Sequence, residues 1–184
     1  ICKNPIGKQD QYGCALGGLK KIKFNTDGKV EFKKMNSTFP TLDKNLYLCF
    51  TDITRSANTI LSKQSKSSNK NKLKNSMLVN SVDKFQEILL SGSFDEVGNF
   101  LDEMWKIKKE MADGISNDSI EKLYKKGINA GALGGKVLGA GGGGFILFYV
   151  PRNNQKAFED KMIKNTFLDF NFETHGSKII FVEG

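Results

Sequence analysis

The stretch of this chain richest in chemical meaning runs Gly134-Gly135-Lys136-Val137-Leu138-Gly139-Ala140-Gly141-Gly142-Gly143-Gly144-Phe145. Glycine at this density permits positive φ and lets backbone N–H groups come close to a bound oxyanion, and it reads against a packed helix or strand. Two phosphate-loop patterns can be tested on it. A GxxxxGK[ST] loop fails, because Val137 occupies the Ser/Thr position and Ala130 the first glycine. Gly139 to Gly144 matches GxGxxG by letter, but the dinucleotide form needs a strand before and a helix after. Here the apolar, strand-sized run Phe145 to Val150 follows instead. Two readings stay open: an anion cradle at Gly139, Gly141, Gly142, Gly143 and Gly144, or a tight connection into a buried strand.

Two shorter stretches carry charge at helix starts. In Gly7-Lys8-Gln9-Asp10-Gln11-Tyr12 the carboxylate of Asp10 could favour a helix dipole, or it could accept a proton from a substrate hydroxyl. Thr54-Arg55-Ser56-Ala57 follows a strand and opens a helix. A guanidinium at a helix N-terminus is a good anion site, and an ordinary surface ion pair is the plain alternative.

These residues must be positioned by a chain of 184 residues, 39% hydrophobic and 26% charged, with a formal net charge of +8. That length suits one domain or two small ones. No apolar run reaches the roughly 18 residues of a membrane span. Ile1 opens mid-pattern, so a processed product or a fragment is expected. Three cysteines without a CxxC pair argue against disulfides and zinc, and Cys14 and Cys49 are expected as buried thiols in a reducing cytosol. One histidine leaves no metal cluster of the His-rich kind. The lysine-rich segment Lys63 to Lys74, mixed with Ser and Asn, reads as a solvated surface before an RNA-binding patch.

The element pattern is α+β. A helix ends at Gly17-Gly18, and alternating runs Leu19–Phe24 and Val30–Met35 flank Asp27-Gly28 as a hairpin. Leu46–Phe50 is a strand, and Ala57, Ile60 and Leu61 continue at helical spacing. Ser62 to Ser76 reads as a loop or frayed helix. Val82, Phe85, Ile88 and Leu89 form a helical stripe, and a Ser93-to-Glu96 capping box opens the next helix, whose Trp105 reads as core. A helix from Asp118 to Gly131, the glycine stretch, strand 145–150, a helix over 157–163 and a last strand 178–182 complete the pattern. The expected domain boundary lies near Lys44.

Together the stretches 7–12, 50–57 and 131–145 resemble successive signatures of the GHMP kinases, nearest the heptose 7-phosphate branch. Trp105–Lys109, Ile115-Ser116-Asn117 and Ile120 are similar to that branch too. The resemblance implies a cytoplasmic enzyme that moves the γ-phosphoryl of ATP, with Mg²⁺, onto the anomeric hydroxyl of D-glycero-D-manno-heptose 7-phosphate. It implies Asp10 as the catalytic group, Lys8, Thr54 and Arg55 as substrate-binding residues, and Gly139, Gly141, Gly142, Gly143 and Gly144 as nucleotide-binding. It also implies that residues 1–44 end a ribosomal-S5-like domain and 45–184 form a ferredoxin-like C-terminal domain. The family's main ATP loop and Mg²⁺ ligands are not in this sequence. They are expected in a missing N-terminal half, so this chain alone is expected to be inactive. No nucleic acid or membrane partner is implied. Asp52 stands where the branch commonly has glycine, which leaves the turn there open. The alternatives are a GHMP kinase acting on fucose or galactose, or a non-catalytic ligand-binding module.

Overall fold

A computed structural model of the chain describes residues 7–35, 42–66 and 71–181. It divides into two compact units. One is built on 42–170, and the other on 7–35 with 171–181.

In the smaller unit, helix α1 (Gln9–Leu16) precedes a two-stranded antiparallel sheet of β1 (Lys20–Phe24) and β2 (Val30–Lys34), with Ile22 opposite Phe32. The expected hairpin forms because Gly28 takes the left-handed φ of 86° and Asp27 accepts the Lys29 N–H at 2.9 Å. Helix α1 ends where Gly17 and Gly18 turn left-handed, at φ 57° and 66°. The returning tail laces onto that end, Gly18 N–H donating to Glu173 O and Ser177 N–H to Ala15 O. Among the described residues, none of the buried hydrophobic side chains belongs to this unit. Residues 178–181 form no strand: Ile179, Ile180 and Phe181 are largely exposed, and a strand without a neighbour has no ladder to hold it. Cys14 is exposed, contrary to the expectation of a buried thiol, because α1 has no buried face. Cys2 lies outside the described residues.

The larger unit is an antiparallel sheet in the order β4-β5-β3-β6, with β3 (Leu46–Phe50), β4 (Gly134–Val137), β5 (Phe145–Tyr149) and the short β6 (Phe167–Leu168). Helices α2 (Ala57–Lys66), α3 (Lys72–Ser91), α4 (Asp95–Lys109), α5 (Asp118–Ala130) and α6 (Gln155–Met162) accompany it. Alternation puts Cys49, Val137, Ile146 and Phe148 on one face, where each is fully buried. Phe148 meets Phe158 of α6 and Tyr124 of α5, and Trp105 of α4 joins the same core. The architecture is therefore the expected α+β.

Two local expectations are corrected, and a third is narrowed to its helical alternative at both described ends. The glycine-rich stretch opens with a strand: residues 134–137 form β4, because α4 packs onto them. A Cβ on Gly134 would fall 1.9 Å from the Gly98 carbonyl oxygen, so glycine here allows close packing and is no sign of a loop. The Ser93–Glu96 capping box does not form, since Glu96 N–H donates to the Ser93 backbone carbonyl and no side chain caps α4. The polar run 62–76 is helical at both ends, in α2 to Lys66 and in α3 from Lys72, and its middle lies outside the described residues. Strand β6 was missed, being only two residues long. Among the described residues no helix is long and apolar enough to cross a membrane.

Candidate functional site

The glycine loop, residues 138–144, links β4 to β5. Four of its glycines are left-handed: Gly139 at φ 64°, Gly141 at 91°, Gly142 at 73° and Gly144 at 79°. For a residue with a Cβ that conformation costs roughly 1–2 kcal/mol, so the sequence here is dictated by the backbone path. Three other segments fix that path. From α4, Lys108 Nζ donates to Gly139 O at 2.6 Å. From the turn before α5, Ile115 O accepts the Gly142 N–H at 2.6 Å, and Asn117 Nδ2 donates to Gly142 O at 3.5 Å. Beyond β3, Ile53 O accepts the Gly144 N–H at 2.8 Å, while Thr51 donates to Gly144 O from both its N–H (2.9 Å) and its hydroxyl (2.8 Å).

The loop carbonyls at 139, 142 and 144 are thus turned onto protein donors. Among the described residues, the N–H groups of Gly139, Gly141 and Gly143 meet no backbone acceptor. Such amides on a fixed backbone suit an anion.

Arg55 lies against this loop. A Cβ on Gly142 would sit 2.6 Å from Arg55 Nε, so only glycine leaves room for the guanidinium. Nη1 donates to Ser56 O at 2.9 Å, whereas Nε is buried with no partner. Burial pulls the pKa of the group below its ordinary value, as expected of a cation short of acceptors. Thr54 is exposed beside it. The structure thus brings Arg55 and Gly142 together, both named from the sequence. Asp52 answers the open question about its turn: it takes φ 57°, the only left-handed non-glycine among the described residues, and aspartate tolerates that region better than most. Asp52 therefore does the conformational work of a glycine.

Lys8 and Asp10 belong to the smaller unit. Asp10 is exposed in the first turn of α1, where the helix dipole favours a carboxylate, and it does not cap the helix, whose N-cap is Lys8. Lys8 lines a cavity of about 390 Å³ bounded also by Gly7, Gln9 and the hairpin residues Phe24, Asn25, Gly28, Lys29 and Val30. Among the described residues no group of three or more His, Cys, Asp or Glu side chains could hold a metal ion.

Sequence reasoning missed Thr51, Lys108 and Asn117 as fasteners of the loop. Asn117 was legible in principle, since Asn before an apolar helical run is an N-cap pattern, and its side chain does accept the Ile120 N–H at 3.0 Å. It also missed the support beneath: Ser116 Oγ donates to Glu121 at 2.6 Å and Lys109 Nζ at 3.1 Å. Burial alone would raise the Glu121 pKa, but these bonds and the nearby lysines outweigh it and hold the carboxyl below its ordinary range.

Comparison with known proteins places the chain in context. Residues 85–167 match the family model described as GHMP kinases C terminal. The chain is 31% identical over 179 residues to the D-glycero-alpha-D-manno-heptose 7-phosphate kinase of Campylobacter jejuni, covering 94% of this chain and 53% of that protein. It is 30% identical over 167 residues to an L-fucokinase/L-fucose-1-P guanylyltransferase of Bacteroides fragilis, covering 85% of this chain and 17% of that one. The crystal structure of a D-glycero-D-manno-heptose 1-phosphate kinase from Bacteroides thetaiotaomicron superposes with a TM-score of 0.57 at 26% identity, over 95% of this chain and 50% of that one. The chain spans about half the length of the heptose kinase it matches.

Proposed function

We propose that the chain carries the C-terminal region of a GHMP kinase and serves the ATP-dependent phosphorylation of a sugar phosphate, a reading that the family match over residues 85–167 and the similarity to a heptose 7-phosphate kinase support. The acceptor is the anomeric hydroxyl of D-glycero-D-manno-heptose 7-phosphate, and the product is the 1,7-bisphosphate. In this reading the hydroxyl oxygen attacks the γ-phosphorus, the bond to the β-phosphate oxygen breaks, ADP leaves, and Asp10 accepts the hydroxyl proton. Gly139, Gly141 and Gly143 present backbone amides to phosphate oxygens, while Gly142 and Gly144, whose amides are held by Ile115 O and Ile53 O, shape the nucleotide site around them. Arg55 meets developing negative charge, with Thr54 and Lys8 as further contacts to the acceptor and its phosphate. Phosphoryl transfer is mostly positioning and charge stabilisation, which suits a rigid loop and one guanidinium.

The observation that carries the proposal is the buried, unpartnered Arg55 Nε packed on a loop whose carbonyls are turned away onto protein donors. Mg²⁺ belongs to the reaction as the companion of ATP, and no described residue is assigned to it. The finer fold reading is that residues 1–44 end an S5-like domain and that the sheet with its helices is the ferredoxin-like C-terminal domain of 45–184. Residues 171–181 cluster with the α1–hairpin unit, which draws the end of the chain toward the first of these. The remaining half of the enzyme is the partner that this chain needs, and the cytoplasm is its compartment.

The test is ADP release with Mg²⁺-ATP by the protein expressed from its whole reading frame, comparing heptose 7-phosphate, heptose, fucose and galactose. Turnover confined to heptose 7-phosphate is expected. Turnover on fucose would favour the second reading, a neutral-sugar kinase, which the resemblance to the Bacteroides fragilis fucokinase supports. Silence on all four would leave a ligand-binding module.

A further inference from the structure

Thr51, at the end of β3, is 8% exposed, and its hydroxyl joins two parts of the site described above. It donates to Gly144 O at 2.8 Å and accepts the Ile53 N–H at 3.4 Å. The first bond holds the glycine loop. The second shapes the turn through left-handed Asp52, three residues before Arg55. Ile53 O in turn accepts the Gly144 N–H at 2.8 Å, which closes a small ring of bonds around one hydroxyl. A residue needed only to fill a buried strand end could be valine, the commoner choice on a pleated surface.

We propose that Thr51 is a positioning residue: its hydroxyl sets the glycine loop and the Arg55 segment in one fixed arrangement, so that amides and guanidinium meet the same anion. The functional half of this inference rests on the kinase reading, and the structural half does not. Removing one hydrogen-bonding hydroxyl by Thr51→Val keeps shape and volume, while Thr51→Ser keeps the hydroxyl and trims a methyl.

The test begins with amide hydrogen exchange on this 184-residue chain. In Thr51→Val the Gly144 and Ile53 amides should exchange about tenfold faster than in wild type, since a buried hydrogen bond is being lost. Thr51→Ser should restore them. The Ile120 amide, held by the Asn117 cap, should be unchanged in both. Wild-type exchange at Gly144 and Ile53 would overturn the inference, and so would an equal rise at all three amides, which reports general loosening. The second arm is kinetic, on the whole-frame protein with Mg²⁺-ATP and heptose 7-phosphate. There Thr51→Val should lose about tenfold in kcat/KM and Thr51→Ser should recover it. A lowered Tm with unchanged kcat/KM would overturn the positioning role. If wild type turns over no acceptor, the kinase reading fails, and the exchange arm still decides whether Thr51 couples the two segments.

Discussion

The glycine loop and the helix that carries Asp10 are held in opposite ways. The loop is fastened by hydrogen bonds from α4, from the turn before α5 and from the end of β3, and it borders a fully buried strand face. Helix α1 has no buried residue, and Asp10 stands exposed in its first turn. In the first region the backbone is fixed by folding before any ligand arrives, which is what electrostatic stabilisation of a developing charge requires. In the second, one exposed helix sets the position of the carboxylate. The difference teaches that glycine marks rigidity in one place and freedom in another, according to what surrounds it.

The sharpest way to break that contrast is to add one Cβ in each region. Gly134→Val should abolish the cooperative thermal transition or the yield of folded chain. Its Cβ would lie 1.9 Å from the Gly98 backbone oxygen, and an overlap of that kind exceeds the roughly 4–5 kcal/mol that marks an exceptional substitution. Gly28→Ala, in the hairpin turn, meets nothing within 4 Å and carries only the strain of φ 86°. It should cost about 1 kcal/mol, or about 2–4 °C in Tm. Similar Tm shifts for the two would erase the comparison.

Next in size is Asp10→Asn in the whole-frame protein. A general base is worth at least about 10² in rate, so kcat should fall by that factor or more. Tm should move by less than about 1 °C, because an exposed surface substitution changes little. An unchanged kcat would remove the base assignment, and a large drop in Tm would show that α1 is more tightly held than its exposure indicates.

Much of this contrast could be read from the residues, and what could not has a physical reason. Alternating runs around Asp27-Gly28 gave the hairpin, because local turn chemistry decides it. Phe145–Tyr149 and the stripe around Trp105 were legible because burial imposes a period. The strand at Gly134–Val137 was not, since Gly134 answers to α4 packing onto it and Gly135 to Leu147 and Phe148 of β5, long-range facts with no local signature. The site divides likewise. Arg55 and the loop glycines stood out by type, whereas Thr51, Lys108 and Asn117 act through bonds between segments far apart in sequence. Asp52 was legible only as an oddity, and its left-handed turn explains it. The expected strand at 178–182 failed for the converse reason: apolar residues alone do not make a strand where no neighbour receives them.

A smaller perturbation separates the loop from its neighbour Arg55. Gly142→Ala places a Cβ 2.6 Å from Arg55 Nε and 2.5 Å from Gly114 O at a left-handed φ of 73°. The left-handed φ alone costs about 1–2 kcal/mol and the overlap with the Gly114 backbone oxygen adds to it, so Tm should fall by at least about 4 °C. Displacement of the guanidinium should weaken nucleotide or sugar-phosphate binding about tenfold in a calorimetric titration. Gly28→Ala, which carries the left-handed strain in the other unit without any overlap, should leave that affinity unchanged. Equal loss of affinity in both would mean that binding follows overall stability and not the loop.

The smallest effect comes from acid, and it bears on the larger unit through Glu121. Hydrogen bonds from Ser116 and Lys109 overcome the cost of burial and keep this carboxyl's folded pKa below its unfolded one. A group of that kind stabilises the fold above its unfolded pKa, near 4.5, and the contribution fades as pH falls through the folded value. The carboxyl is partly exposed, so solvent screening limits the contribution to about 0.5 kcal/mol. Trp105, the sole tryptophan, is buried in the same core, and its fluorescence reads this unit. Urea titrations followed at Trp105 should therefore give Glu121→Gln a lower midpoint than wild type at pH 7, with the gap narrowing below pH 4.5 as wild type loses the same charge. A gap that stays constant with pH would assign the loss to packing. A gap that widens in acid would reverse the sign of the linkage and remove this ion pair from the supports of the loop.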